Sequence, residues 1–475
     1  MTENADFTVP AGQRQLFIDD HGIAHIENLT RTLHQPSKKG AVIRPTEGEK
    51  GVQTGSTPHW NEELGLFRIL ADGKWYQSAD GLHWTRDETP QLVNEEAPWG
   101  HVLYEPADPD AGRRHKGLTS HVINLDTGKR VVHSSERVDE FGKPLKGKRF
   151  ARTMDFMTSA DGVHWHRLDA AIPTFDEWNL SYDSLGGQYI IACKTSGTYG
   201  RSHAISTSPD FVDWTDPVVA IQADDLDQEL GRLHIEEYLK SSNADYLKPF
   251  PNTTDWAWQN VDIYNAGVFR YEGIFLALPA IYYARGARWT SHTLRFTLIQ
   301  LWSSRDLYTW DRVADRQAFI PWSPGGSGAY DLNKNLPPSY PLVRGDELWL
   351  YYSGRKEQSV YPDPDPDGAA ICLAVLRRDG FISLDADAEE GHVVTAPFTV
   401  PADRLFLNAD AGRGQVRVEL LDASEEIVAS SLPIESDERR VEVQWQDGHP
   451  SAHAGTAARL RFRMRQAQLY SYWFD

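Results

Sequence analysis

Four copies of one heptad, five successive strand-rich units and a C-terminal stretch alternating with period two predict an all-β chain. The expected architecture is a five-bladed β-propeller followed by a C-terminal antiparallel β-sandwich. The heptad is Ser-x-Asp-x-x-x-Trp, at Ser78–Trp84, Ser159–Trp165, Ser208–Trp214 and Ser304–Trp310. Each copy lies between apolar or alternating runs, which places it at the hairpin end of a strand pair. A short Asp side chain bonds the backbone two residues on and holds a turn. The Trp then buries its ring against a neighbouring sheet. Such recurrence marks a structural unit used repeatedly and interrupted by insertions.

In chain order, residues 1–45 form a lead-in that packs on the propeller, with a short strand expected in Gln-Leu-Phe-Ile-Asp-Asp at 15–20. The propeller is assigned to 46–392, in units of about 51–95, 100–172, 174–222, 256–320 and 326–390. Gln188–Cys193, Gly273–Leu278, Leu298–Trp302, Glu347–Tyr352 and Ala370–Val375 read as its clearest strands. The fifth corner, Arg378-Asp-Gly-Phe381, is a degenerate copy without the Trp. Between the third and fourth units, about 224–252, Leu226, Leu230, Leu233 and Tyr238 recur at helical spacing and predict one inserted amphipathic helix. From 393 to 475, segments such as Gln415–Leu421 and Arg459–Met464 alternate strictly, as strands with one wet face do.

Composition narrows the function. The 475 residues carry 48 Lys plus Arg against 68 Asp plus Glu, a net charge of −20 without any basic run, which argues against a nucleic-acid partner. A neutral ligand such as a sugar is unaffected by that field. No stretch of 18 apolar residues exists and the first residues lack signal-peptide features, so a cytoplasmic protein without membrane association is expected. Cys193 and Cys372 lie in apolar runs and read as buried thiols. His234-Ile-Glu236-Glu237 reads as a solvated helix face. Asp363-Pro-Asp365-Pro-Asp367-Gly368 lacks the Glu that an EF-hand needs at its twelfth position, where Ala374 stands, so it is read as a stiff solvated loop. No metal and no cofactor is expected.

The repeated corners, the five units and the appended alternating segment resemble the five-bladed propeller glycoside hydrolases of families 32 and 43 and their relatives. The chain is most similar to an uncharacterised bacterial family-32-like group, through Leu16-Phe-Ile-Asp-Asp20, Val261-Asp-Ile-Tyr-Asn265 with Tyr271-Glu-Gly273, and Asp315-Arg-Gln-Ala-Phe-Ile-Pro321. It departs from family 32 in having no Trp-Met-Asn-Asp-Pro-Asn-Gly opening, no Arg-Asp-Pro triplet and no Glu-Cys pair. Catalytic identities are therefore argued from position. The resemblance implies hydrolysis of a small oligosaccharide or glycoside, and a furanoside such as a fructoside or arabinoside.

Glycosidic cleavage needs two carboxyl groups about the bond, one to protonate the leaving oxygen and one as nucleophile or base. Acids at the start of innermost strands are the candidates: Glu105, Asp176, Asp262 and Asp331. Asp176 and Asp262 are preferred, because Trp178 with Asn179 and Tyr264 with Asn265 follow them, offering rings to stack on a sugar and amides to bond its hydroxyls. Glu177 points away from Asp176 if the segment is extended, and Asp176 is favoured of the two. His59, Trp60, Arg152 and Trp322 complete the candidate binding set. Arg149 stands with Arg152 ahead of the second corner. The alternative is a non-catalytic carbohydrate-binding or scaffold propeller. Sialidases need an arginine triad on six blades, which the chain does not show.

Overall fold

Two kinds of strand organise the chain. In Ile274–Arg285 every residue is buried, as in a strand covered on both faces. In Ala457–Arg465 buried and more open positions alternate, as in a strand with one wet face. The computed structural model describes residues 7–88, 98, 100–131, 149–247, 258–286, 294–356 and 367–475. It is mostly β, with seven antiparallel sheets and one α-helix, Asp225–Lys240, among the described residues.

Five sheets follow one another along the chain. The first runs His59–Asn61, Leu66–Ala71, Lys74–Ser78 and Thr85–Arg86. The second is built on Val102–Tyr104, His115–Asn124, Phe150–Ser159 and His166–Pro173. Trp178–Asp183, Gln188–Gly197, Gly200–Ser208 and Val218–Ile221 form the third. Gln259–Tyr271, Ile274–Arg285 and Leu294–Gln300 carry the fourth, with shorter strands outside them. The fifth contains Lys334–Leu336, Glu347–Arg355 and Ala369–Arg377, and its last strand is Ser37–Ile43 from the lead-in. Hydrophobic clusters link the sheets in a cycle. Leu70 and Trp75 meet Val102 and Met157. Leu118 and Phe156 meet Leu180 and Ile191. Ile190 and Ile205 meet Val261 and Phe275. Leu276 and Ile299 meet Leu350 and Ala370. Tyr351 and Ile371 return to Ile69 and Tyr76.

The first three heptads form the turn between the last two strands of their sheets, and the fourth joins Trp302–Ser304 to Asp311–Arg312 at one edge of its sheet. In the first, Asp80 Oδ1 accepts from the Leu82 and His83 amides at 2.8 Å each, and the Trp84 indole donates to the Gly81 carbonyl at 2.8 Å. The fourth residue of the heptad has positive φ in every copy: Gly81 72°, Gly162 75°, Phe211 67° and Leu307 72°. Phe211 and Leu307 hold that disfavoured backbone while buried, so packing overrides local preference there. The corners also bridge sheets: the Trp75 indole donates to the Gly162 carbonyl at 3.0 Å, and the Tyr351 hydroxyl to that of Gly81 at 2.8 Å.

The lead-in differs from expectation. Its 15–20 segment is a strand only at Gln15–Leu16, which pairs with Tyr472 and Ser471. Ile23–Glu27 and Thr30–Leu33 pair with Gly391–Thr395 and Ile382–Ala386, so the lead-in joins the C-terminal sheets instead of packing only on the first five. Those two sheets share one core, in which Leu405, Leu407 and Phe474 meet Val418, Leu460 and Phe462. The degenerate corner has become an anchor. Asp379 is fully buried and accepts from Arg14 at 2.6 Å, the Tyr271 hydroxyl at 2.6 Å and Ser471 at 2.6 Å.

The helix forms, but its inner face is not the leucine stripe. Leu226 and Leu233 are exposed, while Asp227, Gly231, Ile235 and Tyr238 are buried. A Cβ on Gly231 would stand 2.3 Å from Val261 Cγ2, so the helix lies close on the fourth sheet. Asp227 tolerates burial because Arg312 bonds it at 3.0 Å and Arg316 also binds it. His234 Nδ1 sits 2.7 Å from the Tyr283 hydroxyl. Both cysteines are free and buried, and burial pushes the Cys193 thiol up to about 12. Residues 363–366 of the acidic loop lie outside the described residues; Asp367 accepts from Tyr330 at 2.6 Å.

Candidate active site

The third and fourth sheets bring their first two or three strands together around Tyr264. Lys194 and Lys334 each place an ammonium 3.9 Å from the centre of the Tyr264 ring. Lys194 donates to Asp176 Oδ1 at 2.8 Å. Arg201 donates to Asp262 Oδ2 at 3.0 Å through its side chain and at 3.3 Å through its amide, and Asn260 adds a third donor at 3.3 Å. Asp262 Oδ1 is buried without a hydrogen-bond partner. Gly200 makes this approach possible, since a Cβ there would stand 2.9 Å from Asp262 Oδ2.

Beside this cluster runs an amide network. Asn265 donates to Glu177 Oε2 at 3.0 Å and accepts from Asn179. The Asn179 carbonyl oxygen accepts from Ser339 at 3.2 Å, and Ser339 also bonds the Gly55 carbonyl at 2.6 Å. A small cleft opens here, lined by Glu177, Asn265, His101 and Gly55. Burial brings the His101 pKa down to about 4, so its ring is neutral.

Electrostatics separates the two preferred acids. Burial raises the Asp262 carboxyl above its ordinary range, outweighing Arg201 and Lys194. Burial also raises Asp176, but there Lys194 wins and the pKa is lowered overall. Burial pushes Tyr264 and Tyr282 up to about 12, so both phenols keep their protons. It brings Lys334 down to about 8, against the opposing pull of Glu177.

Asp176, Asp262, Tyr264, Asn179 and Asn265 are thus neighbours, with Trp178 as a wall 5.3 Å from the His101 ring. Arg152 donates to Ser120 at 2.9 Å and lines a cleft that reaches Lys194, while Arg149 pairs with Asp126 at the surface. Five other candidates are placed elsewhere. Glu105 accepts from Tyr189 and pairs at 3.0 Å with Lys116, whose side chain is fully buried and needs the counter-charge. Asp331 pairs with Lys38 at 2.6 Å and accepts from Tyr352 at 2.8 Å. His59 stacks on Tyr104 at 4.5 Å inside the junction of the first two sheets. Trp322 packs edge-on against Tyr238 and Phe296. Trp60 is 38% exposed and rests on Phe67 at 4.9 Å.

Glu177 corrects the alternation argument. The Phe175 amide and the Glu177 carbonyl both bond Lys194, so 175–177 bulge out of the ladder and the two-residue period does not hold there. Asp176 and Glu177 both act on Lys334 and Tyr264, and both belong to the cluster. Sequence reasoning also missed His101, Lys194, Arg201, Tyr282 and Lys334. One signal was present: a lysine closing the apolar run Ile190-Ile-Ala-Cys193 becomes a buried charge that needs partners.

No protein-family model matches the chain, and no curated protein matches it. In chain course it is similar to solved carbohydrate-active structures. One is a family 32 β-fructofuranosidase of Bombyx mori, 9% identical over 93% of each chain, with a TM-score of 0.39. Another is an N-acetylgalactosamine deacetylase from F. plautii in complex with blood group B trisaccharide. It is 12% identical over 74% of this chain and 97% of the other, with a TM-score of 0.39. A third belongs to the family 130 mannoside phosphorylases, described as containing hydrolases that target β-1,2-mannosidic linkages in Candida mannan. It is 12% identical over 77% and 96%, with a TM-score of 0.37. The likeness is loose at these scores, and the functional reading below comes from the side chains.

Proposed function

We propose that the chain is a five-bladed β-propeller glycoside hydrolase with a C-terminal β-sandwich, which cleaves a small oligosaccharide or glycoside at the Tyr264 cluster. The cycle of shared cores supports the blade count, and the common core of the last two sheets supports the sandwich. One observation carries the chemistry: in a single cluster, Asp262 is driven toward its protonated form and Asp176 toward its ionised form. Two carboxyl groups whose environments push them apart divide naturally into acid and base. Asp262 protonates the leaving glycosidic oxygen, and Asp176 attacks the anomeric carbon or activates water. Tyr264 stacks on the sugar face, while Glu177, Asn265 and Asn179 bond its hydroxyls. The furanoside preference is retained as the first class to test.

A non-catalytic sugar-binding propeller is favoured by one fact: each acid already has a cationic partner, Arg201 or Lys194. The experiment is hydrolysis of aryl glycosides of fructose, arabinose, xylose and galactose by the wild type, Asp262→Asn and Asp176→Asn. Release of the aryl group by the wild type, lost by about 10³-fold or more in Asp262→Asn, supports the hydrolase. No release on any substrate, with sugar binding retained, establishes the binding module instead.

A further inference from the structure

Away from the Tyr264 cluster, the pairing of the lead-in with the C-terminal sheets gathers three metal-ligating side chains on one face. Glu27 lies directly opposite His392 in the ladder between Ile23–Glu27 and Gly391–Thr395, and His25 lies opposite Val394. Directly opposed residues share a face, as do residues two apart in a strand, so His25, Glu27 and His392 project together. Ile26 and Val393 alternate with them and pack into the core shared by the last two sheets. A close approach of the two segments holds this register: a Cβ on Gly391 would stand 2.4 Å from the Asn28 carbonyl oxygen.

The three side chains outline part of a coordination sphere. Glu27 Oε2 stands 3.6 Å from His25 Nε2 and 3.9 Å from His392 Nε2, and one ligand atom from each residue lies within 4.8 Å of the others. Ligand atoms about 2.1 Å from a tetrahedral ion are about 3.4 Å from one another, so small side-chain rotations close the set. The two imidazole rings are 5.3 Å apart. Beyond these mutual contacts, none of the three side chains has a hydrogen-bond or ion-pair partner among the described residues. Arg463 faces His392 from the neighbouring strand, but Glu390 at 2.7 Å and Glu419 at 3.4 Å already answer its charge. Two imidazoles and one carboxylate suit zinc and its transition-metal neighbours, whereas calcium takes about six to eight oxygens. Three protein ligands leave a fourth position for water.

We infer that His25, Glu27 and His392 bind a divalent metal ion of the zinc class, which clips the lead-in to the C-terminal sheets. The clip falls between the pairing of Gln15–Leu16 with the last strand and the entry of Ser37–Ile43 into the fifth sheet. It is independent of the proposed chemistry at Tyr264.

Equilibrium dialysis of the full chain, first stripped with EDTA, tests the site with zinc and with calcium. At micromolar free zinc the wild type is expected to hold one ion per chain more than His25→Ala or His392→Ala, and to bind zinc at least about tenfold more tightly than calcium. Both histidines lie at the surface, so the metal-free thermal midpoints of the variants match that of the wild type. Hydrogen exchange across Ile23–Glu27 slows with zinc in the wild type and not in the variants. Equal zinc uptake by the wild type and both variants overturns the inference, as does an absence of zinc uptake or an equal affinity for calcium. Zinc held by these residues without slower exchange overturns the clip.

Discussion

Lys194 donates to Asp176 at 2.8 Å while its own side chain is only 2% exposed, so a buried cation holds a carboxylate that is itself 62% exposed. Removing the cation takes away the charge and the hydrogen bond that hold the Asp176 carboxyl below its ordinary range, and its pKa rises. Lys194→Met therefore moves the acid limb of the pH–activity profile upward by about 1–3 units, the range for a carboxylate losing an adjacent cation. Hydrolysis rates measured across pH check this. An unmoved acid limb means that Asp176 is not the ionised partner.

Gly55 is the floor of the amide network. A Cβ there would stand 2.2 Å from His101 Cε1 and 2.8 Å from Asn179 Oδ1, so neither neighbour can stay in place. Gly55→Ala is expected to weaken substrate binding by about tenfold, through the displaced Asn179 and Asn265, with a smaller effect on the bond-breaking step. Steady-state kinetics separate these: KM rises more than kcat falls. Equal losses in both would place the network at the reacting centre.

What the sequence made legible was local chemistry. The heptads were readable because an Asp bonding the backbone two residues on closes a turn within itself. Asp176, Asp262, Asn179, Asn265 and Tyr264 were readable because strand-initial positions gather at one end of neighbouring sheets. Asp331 precedes a strand as expected, while Glu105 lies just past the end of Val102–Tyr104 and not at a strand start; each answers a lysine from another segment, Lys38 or Lys116, which only the packed structure reveals. His101, Lys194, Arg201 and Lys334 come from different strands and loops, and their common neighbour Tyr264 or Asn179 is far away in sequence. The leucines of the helix misled because Arg312 and Arg316 make the polar face around Asp227 the buried one.

Asp72 gives stability a pH dependence of unusual sign. It occupies the tight turn between Leu66–Ala71 and Lys74–Ser78, at φ 46° ahead of Gly73 at 72°, and burial raises its pKa to about 7. Between about pH 4 and 7 the folded chain keeps a proton that the unfolded chain has released, so this residue's contribution falls as pH rises. Asn suits the same left-handed position and cannot titrate. Asp72→Asn is expected to gain on the order of 2 kcal/mol over the wild type at about pH 8 and little at about pH 4. Urea unfolding at both pH values measures the difference; a pH-independent difference removes Asp72 as its source.

Asp379 and Arg14 tie the two parts of the chain together. Their 2.6 Å pair is enclosed, with 0% and 7% side-chain exposure, and Asp379 is further bonded by Tyr271 from the fourth sheet and Ser471 from the C-terminal sheets. Asp379→Ala leaves Arg14 charged and buried, and removes the acceptor of two hydroxyls. The loss expected for breaking one side of a buried pair is about 3–5 kcal/mol. Arg14→Met with Asp379→Leu removes both charges and should recover part of that loss, because no uncompensated ion remains. Denaturant unfolding of Asp379→Leu, Arg14→Met and the double variant tests this as a cycle, with Asp379→Ala beside them. A double variant no more stable than Asp379→Ala would show that the hydroxyl bonds to Asp379, and not its pairing with Arg14, hold the junction.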